Sequence, residues 1–112
     1  MCIFCKIANK EIPTKVVLED DDWLAFHDTN PQAPTHVLVI PKRHVAGLRE
    51  ATPEDQALLG KVLLGAQQVA QKLGIGDSGF RTVINSGANA GQTVFHLHVH
   101  VLGGRAMGWP PG

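Results

Sequence analysis

Apolar and polar positions along the chain predict a sheet of five short strands and two helices. Apolar runs bounded by turn-forming residues indicate strands at Val16–Glu19, Trp23–His27, 36–40, 80–85 and 94–102. The run at 36–40 is apolar at both parities, which is typical of a strand buried on both faces. Residues 3–9 predict a short N-terminal helix.

The longer helix is marked by its end signals as well as by its apolar stripe. Thr52 is a good N-cap residue and Pro53 suits the first helical position, whereas Gly74 is typical of the residue just past a helix. Between them, apolar residues with three-to-four spacing are Val62, Ala66, Val69 and Leu73. Because glycine weakens a helix, we expect Gly60 and Gly65 to allow close packing against the sheet.

Together these elements predict one α+β domain over residues 1–112, a mostly antiparallel sheet covered on one face by the long helix. The hydrophobic share of 44% suffices for a packed core, and ten basic against ten acidic side chains give zero net charge. A neutral chain without a basic block argues against an extended nucleic-acid interface. We find neither a secretory signal nor an apolar stretch long enough for a membrane, and therefore expect a cytoplasmic protein.

The last predicted strand carries three histidines in strict alternation, His96, His98 and His100. Side chains alternate across a strand, so the three imidazoles should share one face. The opposite face, suited to packing against the helix, would hold Phe95, Leu97, Val99 and Val101.

Three interpretations of this row are open: surface histidines, a metal site, or nucleophilic catalysis by a neutral imidazole. The preceding loop favours the third. Gly87, Gly91 and Gln92 could turn backbone N–H groups toward a phosphate, and Thr93 adds a hydroxyl just before the row.

At this point the sequence resembles the histidine-triad (HIT) family and, within it, the HINT branch. The triad stretch is His96-Leu97-His98-Val99-His100-Val101-Leu102. Other matching motifs are Phe26-His27-Asp28, Pro31-Gln32-Ala33-Pro34-Thr35-His36, Pro41-Lys42-Arg43-His44, Gly91-Gln92, Leu102-Gly103-Gly104-Arg105 and Trp109-Pro110-Pro111-Gly112. The resemblance covers nearly the whole chain and implies a HIT-like fold.

The resemblance also implies a two-step reaction at phosphorus. His98 would attack the α-phosphorus of a nucleotide, and water would then hydrolyse the nucleotidyl-histidine. His100 would contact the phosphate and help the leaving group depart, and His36 would relay protons or orient the triad. His96 completes the triad. For His36, a hydrogen-bonded core histidine is the alternative.

Matching positions imply a purine nucleotide pocket. Its apolar walls would be Ile3, Phe4, Ile7, Ile12, Phe26 and Leu38, with His27 beside them. Asp28 would accept hydrogen bonds from the ribose hydroxyls. The phosphate loop would include Asn85, Gly91, Gln92, Thr93 and Val94. Each apolar residue could equally be plain core, and Thr93 stands where serine is commoner in the family.

Cys2 and Cys5 have the C-x2-C spacing of half a tetrahedral zinc site. Similarity to a related branch, nucleotidylyltransferases acting on sugar phosphates, suggests His44 and His96 as the other ligands. Such a zinc would be structural, and catalysis itself would need no cofactor. The alternative is two free thiols on an N-terminal turn.

The resemblance finally implies a homodimer and an activity. The two sheets would join edge to edge, with Trp109 near the partner's active site. The leading hypothesis is a purine nucleoside phosphoramidase that hydrolyses AMP- or GMP-linked amines. Alternatives are a dinucleoside polyphosphate or sugar-nucleotide hydrolase or transferase, and a purine-nucleotide-binding interaction protein.

Overall fold

The computed structural model describes residues 2–112 and shows five strands and two α-helices in these residues. In chain order the elements are α1 (Ile3–Ala8), β1 (Val16–Glu19), β2 (Trp23–His27), β3 (Thr35–Pro41), α2 (Gln56–Lys72), β4 (Phe80–Val83) and β5 (Val99–Gly103). The strand order is β1-β2-β3-β5-β4, and every neighbouring pair is antiparallel. The predicted α+β fold, with one long and one short N-terminal helix, is confirmed.

Helix α2 covers one face of the sheet through its predicted apolar stripe. Val62, Ala66 and Val69 are buried there in one cluster with residues of the central strands. A Cβ on Gly65 would lie 2.8 Å from the Trp23 ring, so the expected close packing occurs at this glycine. At Gly60 the expectation was wrong, because nothing lies within 4 Å of the position a Cβ would occupy.

The ends of α2 follow the expected capping chemistry. Thr52 and Asp55 form a reciprocal capping box, in which each side chain meets the other residue's backbone N–H. The first turn, Pro53–Asp55, is a 3₁₀ helix that leads directly into α2. Gly74 follows the last turn at φ +77°, a backbone conformation that favours glycine.

The opposite face of the sheet is partly covered by α1. Phe4 and Ile7 from this helix pack with Leu24, Phe26 and Ile40 in a second buried cluster. All residues of β3 except the first are buried, as expected for a strand with both faces covered. Among residues 2–112, no helix is long and apolar enough to cross a membrane.

The last strand differs from the prediction, because it begins at Val99 and not at residue 94. On β4, pairing ends near this level, because the last residue of that strand, Val83, pairs with His100. On β3, Val39 pairs with Val99, and the strand continues to Pro41 only beside β2. Pro41, two residues beyond Val39, has no N–H to donate to a ladder. Residues 94–98 therefore form a bend, and strand 80–85 is also shorter than expected, ending at Val83.

The bend changes the environment of the first half of the histidine row. Leu97 donates its N–H to the Val45 carbonyl at 2.6 Å, outside any strand ladder. Phe95 is 51% exposed, so its predicted place in the core was wrong, whereas Val99 and Val101 are fully buried as expected.

Candidate active site

His98 lies at the end of the bend, just before β5, and its ring is held by the backbone. Its Nδ1 lies 2.7 Å from the carbonyl oxygen of His96. A carbonyl can only accept, so Nδ1 carries the proton and Nε2 keeps a free lone pair. The Phe4 ring meets the His98 ring edge-on, with centroids 5.1 Å apart. In the neutral form of the ring, this arrangement leaves Nε2 as the available nucleophilic nitrogen.

His98 belongs to a group of neighbouring polar side chains that we call the histidine relay. Its members are Asp28, His36, His98 and His100. The rings of His98 and His100 have centroids 5.1 Å apart. His100 Nδ1 lies 2.9 Å from His36 Nε2, which lies 3.4 Å from an Asp28 carboxylate oxygen. The backbone N–H of Gln32, whose role was not predicted, donates to His36 Nδ1 at 3.0 Å.

Burial keeps His36 and His100 neutral at physiological pH. Burial, together with the neighbouring His98 and His36 rings, lowers the pKa of His100 to about 4. Burial also lowers the pKa of His36, although the Asp28 carboxylate partly offsets this effect. At pH 7 both rings therefore exchange hydrogen bonds as neutral imidazoles.

A cleft of about 1120 Å³ lies beside α1 and the edge of the sheet. Its lining includes ten of the predicted pocket residues: Ile3, Phe4, Ile7, Ile12, Phe26, His27, Asp28, Leu38, Thr93 and Val94. Pro13, Thr14, Lys15 and Thr29 also line it, and sequence reasoning missed all four. They belong to connections between elements, where no periodic pattern marks a residue as facing a cavity.

The predicted phosphate loop is braced from inside by Gln92, whose side chain is buried. Its Oε1 accepts the Gly87 N–H at 2.8 Å, and its Nε2 donates to the Ala46 carbonyl at 2.9 Å. Gly87 and Gly91 adopt φ values of +86° and +83°. The Gln92 amide thus shapes the loop, which begins near the half-buried Asn85. Asn85, Gly91 and Gln92 do not line the cleft itself.

The second group of side chains, which we call the cysteine–histidine cluster, consists of Cys2, Cys5, His44 and His96. One ligand atom from each lies within 4.8 Å of all the others. Cys5 Sγ lies 3.2 Å from His44 Nδ1 and 3.5 Å from His96 Nδ1, and the two Nδ1 atoms are 3.2 Å apart. In a tetrahedral zinc site, bonds of 2.0–2.3 Å place neighbouring ligand atoms about 3.3–3.8 Å apart. The donor set and its spacing fit zinc.

His96 connects this cluster to the sheet. Its Nε2 lies 2.8 Å from the Pro41 carbonyl oxygen, so Nε2 carries the proton and Nδ1 faces the thiols. Burial lowers the His96 pKa, which favours the neutral ring that a metal requires. Its side chain thus belongs to the cluster, while its carbonyl holds His98.

The profile of the HIT domain family matches residues 9–107. The chain belongs to the HIT family. A HIT-like protein of Synechocystis described as uncharacterised is 64% identical over 110 residues, covering 98% of this chain and 96% of that protein. The crystal structure of a HIT family hydrolase from Legionella pneumophila is 50% identical, covers both chains completely and superposes with a TM-score of 0.97.

A histidine triad nucleotide-binding protein from Candida albicans shares the same fold at greater distance. It is 32% identical, with a TM-score of 0.82, over 98% of this chain and 83% of its own. This HIT protein therefore has the fold of HIT family hydrolases and of at least one nucleotide-binding relative.

The C-terminal segment of this HIT protein follows β5 and contacts the outer strand β4. Arg81 on β4 donates to the Gly108 carbonyl at 2.8 Å. The next residue, Trp109, is 83% exposed, although tryptophan is usually well buried. Phe80, also on β4, is 37% exposed. Both the edge strand β4 and the segment that contacts it thus carry an exposed aromatic side chain.

Proposed function

We propose that this HIT protein is a purine nucleoside phosphoramidase of the HINT branch, with His98 as its nucleophile. The observation that carries this proposal is the hydrogen bond from His98 Nδ1 to the His96 carbonyl at 2.7 Å. It leaves the lone pair on Nε2, beside a second neutral histidine. A fixed, neutral imidazole next to a hydrogen-bond donor is what nucleophilic attack on phosphorus requires.

In the first step, the lone pair of His98 Nε2 forms a bond to the α-phosphorus. The P–N bond to the leaving amine breaks, and its electron pair stays on the amine nitrogen. That nitrogen takes a proton from His100 Nε2 and departs as a neutral amine. The nucleotidylated His98 ring becomes positive, and its proximity to His100 offsets the negative charge that His100 acquires.

In the second step, a water oxygen attacks the same phosphorus. The bond between His98 Nε2 and phosphorus breaks, returning the electron pair to His98. One water proton restores His100, and the other remains on the nucleoside monophosphate. The sum is a phosphoramidate plus water giving a monophosphate plus an amine, with both histidines regenerated.

The cleft beside α1 supports a purine nucleoside as the bound group. Phe4 and Phe26, whose ring centroids are 5.6 Å apart, supply flat apolar surface for a base. Asp28 lines the same cleft near its relay contact to His36, where a ribose hydroxyl could donate to the carboxylate. The Candida albicans relative, described as nucleotide-binding, supports the same assignment.

Steady-state hydrolysis of an adenosine phosphoramidate with a fluorescent amine tests this activity. We expect His98→Ala to lower kcat by about three or more orders of magnitude, because it removes the nucleophile. Mass spectrometry of wild-type enzyme quenched during turnover should show an added AMP on His98. Nucleotide binding without turnover would instead favour an interaction role, and turnover of dinucleoside polyphosphates or sugar nucleotides alone would move the assignment to another leaving group.

We propose further that the cysteine–histidine cluster holds one structural zinc through two thiolates and two Nδ1 atoms. Zinc bound there would join α1 to the segment after β3 and to the bend before β5. Elemental analysis of protein purified without chelator should show about one zinc per chain. A His44→Gln variant is the matched control and should lose most of it. Protein free of zinc, with both cysteines reduced, would contradict this site.

We propose that two chains pair through the β4 edge. This strand is at the end of the sheet, and an unpaired edge offers N–H and C=O groups to a second copy. The exposed Leu63 and Leu64 on α2 add apolar surface. Light scattering should give twice the chain mass. Removing residues 109–112 should then alter KM for the amine part, as expected if Trp109 reaches the partner's site; a monomer with unchanged kinetics would contradict both.

A further inference from the structure

We infer that Arg105 is a positioning residue, which acts through the Gln32 backbone to fix the proton positions in the histidine relay. The contact runs from the Arg105 guanidinium to the Gln32 carbonyl, and from the Gln32 N–H to His36. The catalytic part of this inference rests on the phosphoramidase activity proposed above, whereas the proton positions can be measured without substrate.

The loop between β2 and β3 carries Gln32 and is held at several points. The Asp28 carboxylate accepts the Asn30 N–H at 2.8 Å, and the Gln32 side-chain amide donates to the Asn30 carbonyl at 3.0 Å. These contacts lie within the loop. They shape it locally, but they do not connect it to the rest of the fold.

Besides the contacts of Asp28 and Gln32 with His36 on β3, the turn after β5 connects the loop to the rest of the fold. Arg105 Nη2 donates to the Gln32 carbonyl at 2.9 Å. In the same turn, Gly104 has φ +89°, and a Cβ there would lie 2.9 Å from Pro34 Cβ. The turn therefore packs closely on the loop. Arg105 binds the carbonyl of Gln32, and the N–H of the same residue, in the preceding peptide unit, donates to His36.

Proton positions in the relay follow from the Gln32 contact. A backbone N–H can only donate, so His36 Nδ1 must accept and His36 carries its proton on Nε2. That proton points to His100 Nδ1 at 2.9 Å, which must then accept. His100 consequently carries its own proton on Nε2, the nitrogen left to face a substrate. One backbone N–H thus determines that His100 offers a donor and not a lone pair.

The Gln32 N–H also disfavours a metal ion between Asp28, His36 and His100. Asp28, His36 and His100 have ligand atoms within 4.8 Å of one another, a spacing also found in metal sites. A metal would need the lone pair of His36 Nε2, which would force the proton onto Nδ1, against the Gln32 N–H. In the proton relay, each of these hydrogen bonds has one donor and one acceptor, whereas the metal site would set the His36 Nδ1–H against the Gln32 N–H.

Arg105→Met tests this role, since methionine keeps an unbranched chain but removes every donor. With an alkylamine leaving group, which needs a proton, we expect kcat to fall about tenfold, a fraction of the total gain from acid catalysis. With an AMP p-nitrophenyl ester, which leaves without a proton, kcat should change less than twofold. Arg105→Lys keeps one donor and should recover part of the loss.

Lys72→Met is the matched control, because Lys72 also donates to a backbone carbonyl, that of Val17, at 2.8 Å. The Lys72→Met variant should hydrolyse both substrates at wild-type rates. Equal losses with both substrates in Arg105→Met would indicate a merely structural role and would overturn the inference.

Nitrogen-15 NMR of the histidine rings, without substrate, reads the proton positions directly. Wild type should show His36 and His100 protonated on Nε2, and Arg105→Met should show a mixture at both rings. Wild-type His36 protonated on Nδ1, or unaltered rings in the variant, would refute the positioning role. If the NMR result holds but no phosphoramidate is hydrolysed, only the proposed reaction fails.

Discussion

The cysteine–histidine cluster and the histidine relay are neighbours that use the same kind of side chain in opposite ways. In the cluster, a carbonyl oxygen holds His96 Nε2, so Nδ1 is free to face two thiols. In the relay, a carbonyl oxygen holds His98 Nδ1, so Nε2 is free. Both rings are buried and both are tied to backbone oxygen. The nitrogen that the backbone occupies thus separates the proposed metal ligand from the proposed nucleophile.

The two groups also share a physical connection. The carbonyl that orients His98 belongs to His96, whose side chain is in the cluster. The Phe4 ring contacts both histidines, with centroids 6.1 Å from His96 and 5.1 Å from His98. Order in the cluster should therefore support the nucleophile, while the chemistry of the relay should not affect metal binding. Three predictions test this asymmetry.

The largest expected effect is on the relay alone. His100→Gln removes the imidazole proposed to donate to the leaving nitrogen, and kcat for an alkylamine substrate should fall about 10²- to 10⁴-fold. For the AMP p-nitrophenyl ester, kcat should fall much less. The zinc content of the variant should equal that of wild type. If the variant loses zinc as well, the two groups are not separable and the comparison fails.

A smaller effect on rate, with a clear effect on stability, is expected from the cluster. Cys5→Ser should abolish zinc binding and lower the free energy of unfolding by about 4 kcal/mol when zinc exceeds its Kd a thousandfold. We expect kcat to fall less than tenfold, because His98 keeps its carbonyl partner. Urea unfolding and steady-state kinetics on the same preparation check both values. A fall in kcat comparable to that of His100→Gln would show that the metal participates in the reaction.

The smallest effect concerns pH and belongs to the relay. His100, with its pKa lowered to about 4, binds fewer protons in the folded than in the unfolded chain between that value and 6.5. Stability is therefore complete above about pH 6.5 and declines toward pH 4, by up to about 1.4 kcal/mol per pH unit for this histidine. His36, whose pKa is also lowered, acts in the same direction.

Urea unfolding between pH 7 and 4.5, in the Cys5→Ser background to remove the metal contribution, measures this decline. Adding His100→Gln should make the decline shallower. Parallel curves with and without His100 would mean that its ring is as easily protonated in the folded as in the unfolded chain.

Much of the fold followed from local signals, and the deviations have a common cause. The helix ends at Thr52 and Gly74 and the buried strand β3 were predicted, because capping, positive φ and apolar patterns depend on nearby residues. The start of β5 was missed, since the limits of a strand depend on where pairing with its neighbours stops. Pairing of Val99 with β3, and the end of β4 opposite His100, lie outside the reach of any local pattern.

The sequence by itself determined the family and the element types, and it supplied the residues for the proposed chemistry. The alternating histidines, the C-x2-C pair and the capping residues are recognised by their spacing, which is a property of the covalent chain. Only the tertiary structure decided how those residues are used. It brought His44 to the cysteines, aimed the Gln32 N–H at His36 and turned Arg105 back onto that loop. These contacts join residues far apart in the chain, and the tautomers they select depend on which backbone oxygen or N–H each ring meets.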